Sequence, residues 1–139
     1  MARTEFLLEI VTPERLVLSQ TVTSITAYSV DGRLGILHDH RPTVTKLKIA
    51  PLYYKTARGE KESVAISGAG FLEVTPLKAT VLCLRAELSN EIDIERAKKA
   101  KGRADDRLNH NSEDIDYTRA RASFQRALAR INAAQEIEE

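Results

Sequence analysis

The segment TVLCLRAELSNEIDIERAKKAKGRA, residues 80–104, contains the change in character that decides the fold of this 139-residue chain. Apolar and β-branched residues dominate its first part, as is typical of a strand, whereas alanine and charged residues dominate the part after Asn90, as is typical of a helix. The flanking sequence divides in the same way, since Val, Ile and Thr number 23 in residues 1–90 but six in residues 91–139. We therefore predict an α+β fold, with a β-sandwich domain over residues 1–89 and a helical domain over residues 90–139.

Short strands separated by turns account for the predicted β domain. Turn signals occur at Asp31-Gly32, Arg58-Gly59 and Thr75-Pro76, where glycine supplies a positive φ or proline ends a strand. About eight strands at regular spacing favour a sandwich or flattened barrel. The glycine pair in Gly68-Ala69-Gly70 favours a strand bulge or bend over a phosphate-binding loop. The segments predicted as strands are 6–11, 17–30, 34–37, 46–55, 63–67, 71–74 and 80–87.

Two helices joined by a turn at residues 109–112 are predicted in the helical domain. The first is capped by Asn90 or Asp93 and runs to about Leu108, and the second begins near Asp114. Apolar residues recur every three or four positions in both, which predicts an antiparallel hairpin. The two stripes are Ala97, Ala100, Ala104 and Leu108, followed by Ala120, Phe124, Ala127, Ile131 and Ala134.

The seam between these helices is predicted to be weakly held. Alanine lets the helices approach closely, but each methyl group buries little area. Gly102 costs about 1 kcal/mol relative to alanine within the first helix. Two behaviours fit these properties: the hairpin packs permanently on the sandwich, or it is a movable element.

Composition argues against several classes of protein. With 21 basic and 20 acidic residues, the net charge of +1 gives no general attraction to nucleic acid or anionic lipid. No apolar run reaches the roughly 18 residues of a membrane span, and residues 1–11 lack the pattern of a secretory signal. The single Cys83 cannot form an internal disulfide, which fits a reducing compartment. Its place in an apolar strand predicts a buried small hydrophobe.

No catalytic constellation is recognised in the sequence. A P-loop pattern is absent, and no serine or cysteine has a recognisable base partner. The segment His38-Asp39-His40 has the spacing of a metal-binding pair but lacks further ligands nearby, so a polar loop is the favoured interpretation. An enzymatic function is therefore the weakest of the hypotheses considered.

The predicted helices carry an excess of positive charge, since residues 96–130 contain ten basic and five acidic side chains. A solvated helix face is one explanation. Spacing offers another, because Arg96 and Arg103 share one helix face and Arg126 and Arg130 share another. In a hairpin folded about residue 112, the two pairs face each other across one end. Gathered guanidinium groups repel unless an anion lies between them, and a polyphosphate or an acidic protein surface would serve.

Six segments of the chain, taken in order, match a known family. They are EIVTPERLV (9–17), DGRLGIL (31–37), HRPTVTKLK (40–48), VAISGAGFLEV (64–74), EIDIERAKKA (91–100) and RALARI (126–131). In this order, and with the same division into β and α parts, the chain resembles the epsilon subunit of bacterial F-type ATP synthases. Three features depart from the family pattern. His38-Asp39 stands in place of Pro-Gly or Pro-Asn, and Gly102 lies within a helix. SGAGF (67–71) has one residue more than the usual SGGF, which implies a bulge at Ala69.

The resemblance implies a non-catalytic rotor subunit in the central stalk of a proton-translocating ATP synthase. Its sandwich would dock on the gamma subunit and on the ring of c subunits, at the cytoplasmic face of the bacterial plasma membrane and without insertion into the bilayer. Its hairpin would switch between a compact form and an extended form that reaches among the alpha and beta subunits and suppresses ATP hydrolysis. The weak seam is what such a switch needs.

Some members of this family bind ATP at the folded hairpin, which favours the compact form. Their motif, I/L-D-x-x-R-A, corresponds here to residues 92–97, IDIERA. By resemblance, adenine and ribose would contact Glu87, Ile92, Asp93 and Ala97. The phosphates would be held by Arg96, Arg103, Arg126 and Arg130, the arginines that spacing had already paired. ATP, with or without Mg²⁺, would then be a regulatory ligand and not a catalytic cofactor.

A function of a different class is also compatible with the residues themselves. The chain would then be a stand-alone β-sandwich adaptor whose basic hairpin binds an acidic protein partner. Co-purification with a gamma subunit distinguishes the two hypotheses. ATP turnover by the pure chain would revive the enzymatic hypothesis.

Overall fold

The computed structural model describes residues 4–110 and 116–135, and within them nine strands precede two α-helices. A short 3₁₀ helix, Ser89–Glu91, joins the last strand to the first α-helix. This order confirms the predicted α+β fold. The elements are β1 (Phe6–Val11), β2 (Leu16–Ser29), β3 (Gly32–Ile36), β4 (Thr43–Leu47), β5 (Ala50–Thr56), β6 (Lys61–Ile66), β7 (Gly70–Val74), β8 (Lys78–Cys83), β9 (Ala86–Leu88), α1 (Ile94–Asn109) and α2 (Tyr117–Gln135).

The strands form a sandwich whose two layers are joined through β2, as in a flattened barrel. The strand order is β1-β8-β7-β4-β2-β5-β6-β9, with β3 beside β2. β1 pairs in parallel with β8 and also antiparallel with the first half of β2, which closes one end of the sheet. The second half of β2 pairs with β3 and β5. A 14-residue strand is long enough to belong to both layers.

Alternation along the strands builds the core between the two layers. In β1, Phe6, Leu8 and Ile10 are buried while the residues between them are partly exposed. Cys83 points into the same core, which confirms its predicted role as a small buried hydrophobe. Burial raises the pKa of the Cys83 thiol to about 11, although a hydrogen bond with the Arg85 backbone acts in the opposite direction.

Two of the predicted strands are wrong because each is divided in the structure. The segment 46–55 contains the end of β4 and nearly all of β5, and the segment 80–87 contains β8 and part of β9. At each break the chain changes partner: β4 pairs with β7 and β5 with β6, whereas β8 pairs with β7 and β9 with β6. A strand that passes from one layer to the other must bend, and hydrophobic alternation does not reveal which neighbour it pairs with.

The bulge predicted at Ala69 is confirmed at one of these corners. Ile66 pairs with Ala86 and Gly70 with Cys83, so three residues on one segment face two on the other. Glycine is required here by close approach, since a Cβ on Gly70 would lie 2.7 Å from the Cβ of Cys83.

α2 covers the outer face of β5 and β6, and these strands are therefore buried on both faces. Register places Tyr53 of β5 beside Ser63 of β6, on the face turned away from the core. Ser63 is buried, and its hydroxyl donates a hydrogen bond to the carbonyl oxygen of Ala133 at 2.5 Å. The long apolar runs in β5 and β6 are thus explained by a helix that packs on the sheet.

α1 packs against α2 as an antiparallel partner, in agreement with the predicted hairpin. Ala97 and Ala104 of α1 are buried, as are Ala120, Ala127 and Ile131 of α2. Ala134, the last residue of the predicted stripe, is partly buried, whereas its neighbour Ala133 is fully buried and faces the sheet. The predicted start near Asp114 lies outside the described residues, which resume at Asp116. No helix within the described ranges combines the length and the hydropathy that a membrane span requires.

Candidate anion-binding notch and apolar patch

The predicted arginines of the two helices lie at similar positions along the axis of the hairpin. α1 ends at Asn109 and α2 begins at Tyr117. Arg96 and Arg130 both lie thirteen residues from the helix end nearest the turn, so they stand level with each other. Arg103 and Arg126 lie closer to the turn, within about one helical turn of each other.

The same four arginines lie on one side of the hairpin. Each directly precedes a buried residue of the seam, in the pairs Arg96-Ala97, Arg103-Ala104, Arg126-Ala127 and Arg130-Ile131. A step of one residue turns an α-helix by about 100°. Each arginine is therefore rotated by about 100° from the seam residue that follows it. Because the helices run antiparallel, this rotation turns the arginines of both helices toward the same side of the hairpin. The two helices as observed thus carry the four arginines on one side of the hairpin, and the site and its ligand both stay predictions.

An ion pair between Arg130 and the sandwich shows that this side of the hairpin adjoins β9. Arg130 donates from Nε to Oε1 of Glu87 on β9 at 2.7 Å, and the two side chains are 23% and 29% exposed. Arg126 is half-buried and donates to the hydroxyl of Ser123 at 3.0 Å. Arg96 and Arg103 are exposed on α1. We call these four arginines together with Glu87 the arginine notch, a candidate site inferred from their positions on the hairpin and on β9.

The start of α1 forms one wall of the arginine notch. Asp93 caps this helix, because its Oδ1 accepts a hydrogen bond from the backbone N–H of Arg96 at 3.0 Å. Of the two caps considered from sequence, Asp93 is therefore the one used. The positive end of the helix dipole adds to the charge of the arginines and favours an anion nearby. Ile92 is half-buried, whereas Ala97 is 3% exposed and lies in the seam.

Two contacts outside the arginine notch were not predicted from the sequence. Arg15, in the turn between β1 and β2, pairs with Glu91 of the 3₁₀ helix at 2.9 Å and ties down the connection between the domains. Lys101 of α1 lies over the ring of Phe124 of α2, 5.7 Å from its centroid, which adds a cation–π contact across the hairpin. The Arg15 partner is 76 residues distant, so no local pattern predicts it.

A second candidate surface lies on the layer of the sandwich opposite to α2, where large apolar side chains are exposed. Phe71 of β7 is 53% exposed and pairs with Leu82 of β8, which in turn lies opposite Val11 of β1. They border a shallow groove of about 500 Å³ that also includes Leu84. We call Val11, Phe71, Leu82 and Leu84 the apolar patch. Exposed apolar surface of this kind is typical of a protein interface.

The histidine segment shows local contacts. His38 Nδ1 lies 3.3 Å from Oδ2 of Asp39, and His40 Nδ1 lies 2.8 Å from the carbonyl oxygen of Arg41. Asp39 has a φ of 57°, a conformation that glycine and asparagine adopt readily. The described residues contain no group of three His, Cys, Asp or Glu side chains placed to hold a metal ion.

Comparison with known families assigns both parts of the chain. Residues 5–89 match the family described as "ATP synthase, Delta/Epsilon chain, beta-sandwich domain". Residues 90–135 match "ATP synthase, Delta/Epsilon chain, long alpha-helix domain". The chain is 65% identical over 135 residues to the ATP synthase epsilon chain of Natranaerobius thermophilus, covering 97% of this chain and 96% of that one. It is 44% identical to the epsilon chain of Syntrophomonas wolfei, with 97% and 98% covered.

The same fold occurs in solved structures of ATP synthases. A chain in the mitochondrial ATP synthase of Euglena gracilis superimposes with a TM-score of 0.80 at 22% identity, covering 96% of this chain and 82% of that one. At this identity the similarity concerns the fold alone. The two family matches and the two relatives carry the assignment: the chain belongs to the epsilon-subunit family of bacterial F-type ATP synthases, a non-catalytic component of the central stalk.

Proposed function

We propose that the arginine notch binds the polyphosphate of ATP and that bound ATP favours the compact hairpin. The observation that carries this proposal is the placement of four arginines on one side of the hairpin, with Arg130 in contact with the sandwich through Glu87. Guanidinium groups bind phosphate oxygens in a bidentate manner and are charged at every physiological pH. Asp93, Ile92 and Glu87 border the same region, where adenine and ribose would lie.

The compact form is the one that ATP would select. The notch takes residues from β9, α1 and α2, and the hairpin must be folded on the sandwich for these elements to meet. In an extended form the arginines of α1 and α2 would separate, and a polyphosphate would lose half of its partners. A ligand shifts an equilibrium only by its difference in affinity for the two forms.

The packing of the hairpin is suited to release. Small side chains dominate the contacts of α2, with Ala120 and Ala127 in the seam and Ala129 and Ala133 among the buried residues on its other faces. Such contacts bury less apolar area than leucine or phenylalanine would, so α2 detaches at a smaller cost. We propose that the released hairpin extends among the alpha and beta subunits and restrains ATP hydrolysis, while the sandwich turns with the rotor that couples proton flow to ATP synthesis.

Hydrogen exchange tests the proposed effect of ATP on the isolated chain. Saturating ATP is expected to slow amide exchange in residues 94–109 and 117–135 by about tenfold or more, because only the compact form binds. Exchange in β1 and β8 serves as the internal control and should stay constant. Equal exchange with and without ATP would count against the notch as a nucleotide site.

The apolar patch is proposed as the docking surface for the gamma subunit. It lies on the layer opposite to α2, so the sandwich can dock while the hairpin moves. Docking there would hold the chain on the rotor beside the ring of c subunits, at the cytoplasmic face of the plasma membrane. Exposed phenylalanine and leucine side chains in a shallow groove are the type of contact that such an interface buries.

Phe71→Asp is expected to weaken co-purification with the gamma subunit by about tenfold or more, since it places a charge in the centre of the patch. Val30→Asp is the matched control, because Val30 has a similar exposure but lies in the turn between β2 and β3. Failure of the unmodified chain to bind gamma would favour the adaptor hypothesis, in which the basic hairpin binds an acidic protein.

A further inference from the structure

The ion pair between Glu87 and Arg130 joins the sandwich to the hairpin. Glu87 lies on β9 opposite Ala65 of β6, which places it on the same face as Ser63. Ser63 donates to the carbonyl oxygen of Ala133, and Arg130 is three residues before Ala133 on α2. Positions three apart are neighbours on a helix surface. Two polar contacts therefore fix the last part of α2 on this face of the sandwich.

The environment of the pair distinguishes it from an ordinary surface ion pair. Both side chains are less than one-third exposed, and the distance of 2.7 Å is that of a charge-assisted hydrogen bond. Solvent screens such a pair less than it screens the exposed pair of Arg15 and Glu91. The positive charge of Arg130 is thus already balanced by Glu87 before any anion enters the arginine notch.

We propose that Glu87 and Arg130 form a clasp that holds α2 on the sandwich, and that a polyphosphate anion competes with Glu87 for Arg130. This inference rests on the proposed function, because it takes the arginine notch as the anion site. An anion that engages Arg130 must break or share the ion pair, and the carboxylate of Glu87 repels phosphate oxygens. Glu87 therefore lowers the affinity of the notch for anions and secures the compact form in their absence.

This role is opposite in sign to the one that the family resemblance assigns to Glu87. A contact with adenine would make Glu87 increase the affinity for ATP, whereas the clasp makes it decrease the affinity for the phosphate part. Inorganic tripolyphosphate has the phosphate chain without the nucleoside. Comparing tripolyphosphate with ATP therefore separates the two effects.

The test uses the full chain with Glu87→Gln, which keeps the shape of the side chain and removes its charge. Calorimetric titration with tripolyphosphate is expected to show about a fivefold gain in affinity, the order of the loss of one partly screened ion pair. The gain outweighs the loss of the clasp because the Ser63 hydrogen bond and the packing of α2 on β5 and β6 still hold the hairpin compact. Glu91→Gln is the matched control, because it removes the same charge from an ion pair four residues away and leaves the notch intact. Its affinity for tripolyphosphate should equal that of the unmodified chain.

Each outcome of this experiment decides the clasp. A gain in affinity for tripolyphosphate in Glu87→Gln, but not in Glu91→Gln, supports the clasp. If Glu87→Gln also loses affinity for ATP, Glu87 contacts adenine as well. An unchanged or lower affinity for tripolyphosphate, or an equal gain in Glu91→Gln, overturns it. If ATP still binds in that case, the proposed function stands without the clasp. If no variant binds either ligand, both the clasp and the nucleotide site are wrong.

Discussion

Replacing both Asp93 and Arg96 with alanine is expected to abolish ATP binding by the isolated chain. Both residues border the arginine notch at the start of α1, where Asp93 also caps the helix. Hydrogen bonds to charged groups each contribute about 1.5–3 kcal/mol, so the loss of two such contacts lowers the affinity by more than about 100-fold. Calorimetric titration with ATP measures this loss.

α2 provides a matched control for the loss of the cap. Asp116 accepts a hydrogen bond from the backbone N–H of Arg119 at 3.1 Å, as Asp93 does from Arg96. The double variant Asp116→Ala with Arg119→Ala removes the same two charges and the same kind of cap, which is worth about 1 kcal/mol. It should bind ATP as the unmodified chain does. Equal losses in both double variants would mean that helix stability, and not the notch, is responsible.

Ala133→Leu is expected to detach α2 from the sandwich. Ala133 is fully buried, and its carbonyl oxygen accepts a hydrogen bond from Ser63, so the helix backbone lies close to β6. The added carbon atoms overpack this interface at a cost of about 1–3 kcal/mol. A cost of about 2 kcal/mol reduces the ratio of compact to open forms about 30-fold. Hydrogen exchange of residues 117–135 should quicken accordingly, while exchange in β1 stays the same.

Ala134→Leu is the control for this second prediction, because Ala134 is only partly buried and does not face the sheet. Its exchange should change by less than about threefold. In the assembled ATP synthase, Ala133→Leu should lower ATP hydrolysis, since the released hairpin adopts the inhibitory form more often. Exchange in Ala133→Leu as slow as in the control would show that the docking of α2 does not depend on close packing at this position.

Elements whose limits are set by neighbouring residues, such as β1 and α1, were predicted correctly from the sequence. β1 was predicted at residues 6–11 and spans Phe6–Val11, because a short apolar run is bounded by Glu5 on one side and by Thr12-Pro13 on the other. The seam alanines of α1 follow in the same way from a period of 3.6 residues, whereas the choice of Asp93 over Asn90 as its cap came from the structure.

Elements whose limits depend on distant partners were predicted poorly. Residues 46–55 and 80–87 read as continuous strands, yet each divides where the chain passes between layers. The second buried face of α2, with Ala129 and Ala133, was also missed. An alanine on a helix is compatible with burial or exposure, so its environment is decided by what packs on it.

The class of fold, its division near residue 90 and the pairing of arginines along each helix are properties of the sequence itself. They depend on propensity and period, which act over a few neighbouring residues. Tertiary structure alone decided that Arg130 meets a carboxylate 43 residues earlier in the chain, that α2 buries a second face on the sheet, and that the layer opposite to α2 exposes an apolar patch. These features depend on which strands pair and on where α2 packs, and both are set by the contact of surfaces from distant parts of the chain and not by any one segment.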